Sequence, residues 1–164
     1  QDLYNSSELF KADIISFATH GYAGSKLTFD AEPGLALSVG NPFEVTDNGY
    51  LSVSEVLDLD LNAEMVILSA CSTGSPQSGL TPPFSGLAAA FLAAGSDQVM
   101  ASHWNVDSVA TTELVTRIVE KKLSNQTNWA TARRDGILEF IEEFPQFMSP
   151  YFWAPFAIYG TELH

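Results

Sequence analysis

Short apolar runs alternate with helical patterns along the chain. Ile14 to Ala18 is rich in β-formers and runs into Thr19-His20-Gly21, which predicts a buried strand ending in a tight turn. Leu35 to Val39 alternates loosely between Pro33-Gly34 and Gly40-Asn41-Pro42, the pattern of an edge strand or hairpin arm. Ser52-Val53-Ser54-Glu55 has the spacing of a capping box, in which a hydroxyl and a carboxylate satisfy reciprocal backbone donors, and predicts a short helix to about Leu57. Met65 to Ser69 is a second apolar strand and leads straight into Ala70-Cys71-Ser72-Thr73-Gly74. Ser85 to Ala94 predicts an Ala- and Leu-rich helix closed by Gly95, the residue best able to adopt a left-handed conformation behind a helix. Gln98 to Ser102 is a third strand. Asp107 or Ser108 caps a helix to about Leu123, Trp129 to Phe144 forms another, and Tyr151 to Tyr159 reads as a last apolar strand.

Strands separated by helices predict an α/β fold with a mostly parallel sheet covered by helices on both faces. The 164 residues suffice for one hydrophobic core, so residues 1–164 are taken as a single domain. In sheets of this kind sites form at the carboxyl ends of the strands. His20 and Cys71 each sit just past such an end, on the same predicted edge.

Composition narrows the function classes. Hydrophobic residues make up 46% and charged ones 16%, as in a globular protein. Twenty acidic side chains against seven basic ones give a net charge of −13, which repels phosphate backbones and anionic lipid headgroups, so no nucleic-acid and no membrane partner is expected. The single Cys excludes an intrachain disulfide and fits a reducing compartment. No stretch approaches the roughly 18 apolar residues of a membrane span, and Gln1-Asp2-Leu3-Tyr4 lacks the basic start of a signal peptide, so the chain reads as soluble and cytoplasmic.

A thiol attacks a peptide carbonyl as thiolate, and an imidazole nearby both holds that thiolate and protonates the departing amine. The backbone N–H groups of Gly21 and Cys71 are candidate donors to the oxyanion, Gly21 allowing close approach to a substrate. Either residue alone is uninformative: a lone buried Cys is ordinarily an inert small hydrophobe, and a turn His ordinarily bonds locally. Together they follow two apolar strands, lie among small residues, and occur in the order His then Cys about 50 residues apart, the order and spacing of caspases. No ligand pair such as CxxC or HExxH is present, so no metal is expected, nor any other cofactor. Nucleotide-binding and α/β-hydrolase readings fail because GxGxxG, GxxxxGK[ST] and GxSxG are all missing.

Phe17-Ala18-Thr19-His20-Gly21, Leu68-Ser69-Ala70-Cys71-Ser72-Thr73-Gly74 and Ser102-His103-Trp104-Asn105-Val106 resemble the three signature blocks of CHAT domains, caspase-like modules often attached to TPR repeats. Gly49-Tyr50-Leu51, Leu59-Asp60-Leu61-Asn62-Ala63, Ala90 to Gly95 and Trp153-Ala154-Pro155-Phe156 are similar to that family as well, so the resemblance covers almost the whole chain. It implies a caspase-hemoglobinase fold and a cysteine endopeptidase working through a thioester acyl-enzyme, with His20 and Cys71 as the dyad shared with separases and caspases. It also implies a substrate pocket near Ser69 and the segment Ser102 to Ser108, with Trp104 as a wall and Asp107 bonding an Arg or Lys of the substrate.

Two positions depart from that family: Ser108 stands where an acid is common, and His103 where Leu is common. Asp107 is then either a pocket acid or the cap of the helix behind it, and His103 either a pocket residue or a structural hydrogen-bonder. The family's sheets begin with a strand-helix unit before the His strand, which leads us to expect that the chain lacks this N-terminal portion. A separate segment or second chain would complete the fold, since an uncovered sheet edge invites aggregation. The expected partners are that segment and a protein or peptide substrate, with control from regions outside the chain. The alternative function is a catalytically silent CHAT-like protein-interaction module.

Overall fold

The computed structural model describes residues 9–22, 32–38, 48–69, 71–72 and 85–161, with Tyr22, Cys71, Ser72 and Ser85 described through their backbone alone. Along the chain run β1 (Ile14–Phe17), β2 (His20–Tyr22), β3 (Gly34–Ala36), β4 (Tyr50–Ser52), α1 (Val53–Leu57), β5 (Met65–Leu68), β6 (Cys71–Ser72), α2 (Ser85–Ala93) and β7 (Gln98–Ser102). They are followed by α3 (Ser108–Asn125), α4 (Trp129–Glu143), a 3₁₀ turn (Pro145–Phe147), α5 (Pro150–Trp153) and β8 (Phe156–Gly160). The chain divides into two compact units, one formed by Gln1–His103 with Ile158–His164 and the other by Trp104–Ala157.

The first unit is built on a four-stranded sheet of order β1-β5-β7-β8. β5 pairs in parallel with both β1 and β7. The expected class is therefore present: mixed α/β, with a mostly parallel sheet flanked by helices. Every residue of β5 and β7 is buried, which is why both read as unbroken apolar runs rather than alternating ones. β1 alternates instead: Ile15 and Phe17 are buried and Ser16 is exposed. Phe17 meets Phe91 of α2 at 5.3 Å between ring centres. Phe91 is fully buried in the core with Val66, Leu68, Leu87 and Val99, and burying a side chain of that size stabilises by about 2–3 kcal/mol.

A second sheet, of order β4-β3-β2-β6, continues from the ends of β1 and β5. Here the structure departs from the expected turns. His20-Gly21 is not a tight turn but the start of β2, and Cys71 opens β6, because each chain finds a new pairing partner immediately past the first sheet. The Leu35 segment is accordingly an interior strand, flanked by β2 and β4, rather than an edge. Val39, Gly40-Asn41-Pro42, Ala70, Thr73 and Gly74 lie outside the described residues.

Local signals at the helix ends act as their chemistry dictates. The Ser52 and Glu55 backbone amides bond each other's side chains, closing the capping box of α1. Gly95 follows α2 with φ 109°, in the left-handed region. A Cβ there would stand 2.2 Å from the Leu61 carbonyl oxygen, so this turn, which delivers the chain to β7, needs both the torsion and the space.

In the second unit α3 and α4 pack against each other, joined through Gln126 in the left-handed conformation and capped by Asn128, whose side chain accepts from Thr131 N–H. Trp129, Phe140, Leu114 and Ile118 are fully buried, and Gly136 admits the Ile118 backbone so closely that a Cβ would stand 3.0 Å from it. Arg117 bridges Glu113 and Glu143, and Lys121 pairs with Glu139. The expected strand from Tyr151 begins only at Phe156: Pro150 supplies the fixed φ of a first helical residue, and Pro150–Trp153 forms a helical turn. Among the described residues no helix is long and apolar enough to cross a membrane.

The Gly95 turn gives a direct test of this reading. Gly95→Ala should lower unfolding stability in urea by about 2 kcal/mol, because the torsion is strained and the added carbon meets a backbone oxygen. An unchanged midpoint would show that the turn is not needed to deliver β7.

Candidate active site

The two residues singled out for nucleophilic chemistry meet through backbone pairing. β2 and β6 run parallel, with His20 opposite Cys71 and Gly21 opposite Ser72. The same offset along the chain relates β1 to β5, from Ile14 opposite Met65 to Phe17 opposite Leu68. Register is therefore carried without slip from the buried sheet into the second one. Paired strands stand about 4.8 Å apart, so residues distant in sequence become lateral neighbours.

Two hydroxyls tie the junction between the sheets. Ser69, just past β5, donates through Oγ to the Phe17 carbonyl at 3.2 Å, and Thr19, between β1 and β2, donates to the Ala36 carbonyl. The His20 side chain is exposed, whereas Gly21 is buried in the interior strand, with Leu35 opposite on one side and Ser72 on the other. An exposed imidazole beside a buried glycine backbone gives the edge a solvent side and a core side.

Ser102 ends β7 and is buried. The next residue, His103, is half-buried, and its Nε2 lies 3.2 Å from the Tyr159 hydroxyl. Burial pushes the Tyr159 phenol above its ordinary range. Tyr159 was not among the residues expected from sequence. It is 56 positions from His103, and only the pairing of β8 beside β7 brings the two together. An apolar final strand containing a Tyr was the one available hint.

Trp104 and Asp107 belong to the second unit. The Trp104 ring is partly exposed and donates through Nε1 to the Tyr151 carbonyl at 2.9 Å. Asp107 caps α3: its Oδ1 accepts from Val109 N–H at 2.9 Å and Ala110 N–H at 3.1 Å. Of the two roles open to this carboxylate, helix capping is the one with bonds in place. Among the described residues no group of three or more His, Cys, Asp or Glu side chains is arranged to hold a metal ion.

The sequence signature of the CHAT domain matches residues 1–161. The chain belongs to the CHAT family. This is a caspase-like, peptidase-related family, and the mostly parallel sheet of this CHAT domain agrees with a fold of that type. No curated protein matched the chain. In this CHAT domain the expected His and Cys positions fall opposite each other on adjacent strands, Ser69 follows β5 and Ser102 ends β7, two paired strands of the first sheet, and Asp107 caps a helix of the other unit.

Capping by Asp107 has a measurable consequence. Asp107→Ala should lower stability by about 1 kcal/mol in urea unfolding, while Asp107→Asn, which keeps an acceptor oxygen, should retain most of it. Equal losses in both variants would contradict a capping role.

Proposed function

We propose that this CHAT domain is a cysteine endopeptidase in which His20 and Cys71 form the dyad. The observation that supports the reading is the register of β2 against β6, which sets His20 opposite Cys71. Family membership supports it at the coarser level of a caspase-like, peptidase-related domain.

In this reading the Cys71 sulfur attacks the carbonyl carbon of the scissile amide, and the carbonyl oxygen takes up the negative charge. Backbone N–H groups of Gly21 and Cys71 donate to that oxygen, where fixed donors stabilise charge without reorganisation. His20 protonates the leaving amine as the C–N bond breaks, and a thioester to Cys71 remains. Water, deprotonated by His20, then attacks the thioester and releases the new carboxyl terminus with regeneration of the thiol. An exposed His20 is suited to this exchange of protons with solvent. Ser69 and Ser102, at the ends of adjacent strands, contribute to recognition of the substrate side chain. The substrate is a protein partner, and regions outside this chain regulate access to it.

Incubating the protein with a mixture-based peptide library and sequencing the products tests the reading. Cleavage by the wild type, loss of all cleavage in Cys71→Ala, and a fall of about 10²–10⁴ in His20→Ala are expected. Both variants should keep the wild-type unfolding midpoint. Cleavage that survives in Cys71→Ala would refute the dyad, and no cleavage by any form would favour a silent interaction module.

A further inference from the structure

His20 and Cys71 are aligned by two parallel ladders with a break between them. Phe17 opposite Leu68 is the last pair of the first ladder, and His20 opposite Cys71 is the first pair of the second. In the break Ala18, Thr19 and Ser69 belong to no strand, and Ala70 lies outside the described residues. The second ladder consists of two pairs, and its strands are held unequally. β2, which carries His20, lies between β3 and β6, whereas β6, which carries Cys71, is the last strand of its sheet and pairs with β2 alone among the described residues. Cys71 is therefore the less constrained of the two, and the residues leading to it must supply what the ladder does not.

Ser69 stands in that break. Its half-buried hydroxyl donates to the Phe17 carbonyl at 3.2 Å, and the direction is fixed because a carbonyl can only accept. Among the described residues this is the only side-chain hydrogen bond joining the chain that carries His20 to the chain that carries Cys71. Its anchor is firm: Phe17 is buried with its ring against Phe91 of α2, and Leu68, directly before Ser69, is buried as well. On the facing segment the Thr19 hydroxyl reaches to the opposite neighbour, donating to the Ala36 carbonyl of β3. Thr19 thus secures the His20 chain within its own sheet and leaves the crossing toward Cys71 to Ser69.

We propose that Ser69 is a positioning residue for Cys71: its bond to the Phe17 carbonyl carries the alignment of the buried sheet across the break and sets the sulfur against the His20 imidazole. The proposal rests on the peptidase reading and gives Ser69 a role that works through the backbone, beside any part in substrate recognition. Without the bond, the two pairs of the second ladder are what remains, among the described residues, to hold Cys71 beside His20. The fold persists on its apolar core, but the chain leading to Cys71 is free to drift. Reaction rates are far more sensitive to such drift than stability is, since an error of about 1 Å in placement can cost about 10²-fold.

The test reads the pH profile of Cys71 alkylation by iodoacetamide, in which the thiolate is the reacting form. In Ser69→Ala the midpoint of the profile should rise by about one pH unit, because the hold of the imidazole on the thiolate weakens with distance. Ser69→Thr, which keeps a hydroxyl, should return the wild-type profile. Asn128→Ala removes a helix cap in the other unit and controls for lost stability: it should lower the urea midpoint at least as much as Ser69→Ala and leave the profile unchanged. On a peptide that the wild type cleaves, Ser69→Ala should lower kcat by about tenfold with KM within about twofold, whereas lost recognition would raise KM. A Ser69→Ala profile that coincides with the wild type, a shift of the same size in Asn128→Ala, or a folded Ser69→Thr that behaves as Ser69→Ala overturns the proposal. Failure of the peptidase reading looks different: a profile unmoved by His20→Ala refutes the dyad and this proposal with it, while one that moves in His20→Ala and not in Ser69→Ala refutes this proposal alone. Should Ser69→Thr not fold, the comparison of Ser69→Ala with Asn128→Ala still decides.

Discussion

Parallel pairing between two strands, begun in a buried sheet and continued past its end, converts a long sequence separation into a lateral neighbourhood. Ile15 and Phe17 of β1 must face the core while Ser16 faces solvent, so a slip of one residue in β1 would bury a hydroxyl and expose two large apolar groups. The cost of that exchange locks β1 against β5. The same offset then sets His20 opposite Cys71, although neither takes part in the apolar packing that enforces it. Candidate chemistry at the edge thus inherits its alignment from the core, and changes to Phe17 or Phe91 act on the edge through register as well as through stability.

The edge itself joins backbone regularity to a few hydroxyl bonds. Ser69 and Thr19 span the step from one sheet to the next, where the chain would otherwise leave the ladder. β2 is interior to the second sheet, so Gly21 is held from both sides while His20 stays open to solvent. At the far side His103 and Tyr159 form a separate polar pair. The second unit is held by different means: a close helix contact at Gly136, ion pairs through Arg117 and Lys121, and an aspartate cap at the head of α3.

Much of this was legible in the residues themselves. Strands buried on both faces reveal themselves as unbroken apolar runs, and β5 and β7 were found that way. Caps have local chemistry, so Ser52 with Glu55 and Gly95 could be read directly, whereas Asp107 stood beside Ser108 as a candidate cap until its bonds to Val109 and Ala110 decided it. What escaped were elements too short to have a period: β2 and β6 span three and two residues, and their existence depends on partners supplied by other parts of the chain. The helical turn at Pro150 was hidden inside an aromatic run that fits a strand equally well. The partnership of Tyr159 with His103 is tertiary, and no local pattern could announce it. The pairing of His20 with Cys71 was legible because each residue follows a strand that was itself legible.

The measurement closest to the central claim is the rate at which iodoacetamide alkylates Cys71 at neutral pH. The chain contains one cysteine, so the signal has one source. If strand register brings His20 to that thiol, alkylation should be faster than that of a free cysteine and should slow by roughly tenfold or more in His20→Ala. Equal rates in the two folded proteins would mean that the imidazole has no influence on the sulfur, and the account of this edge as an active site would fail.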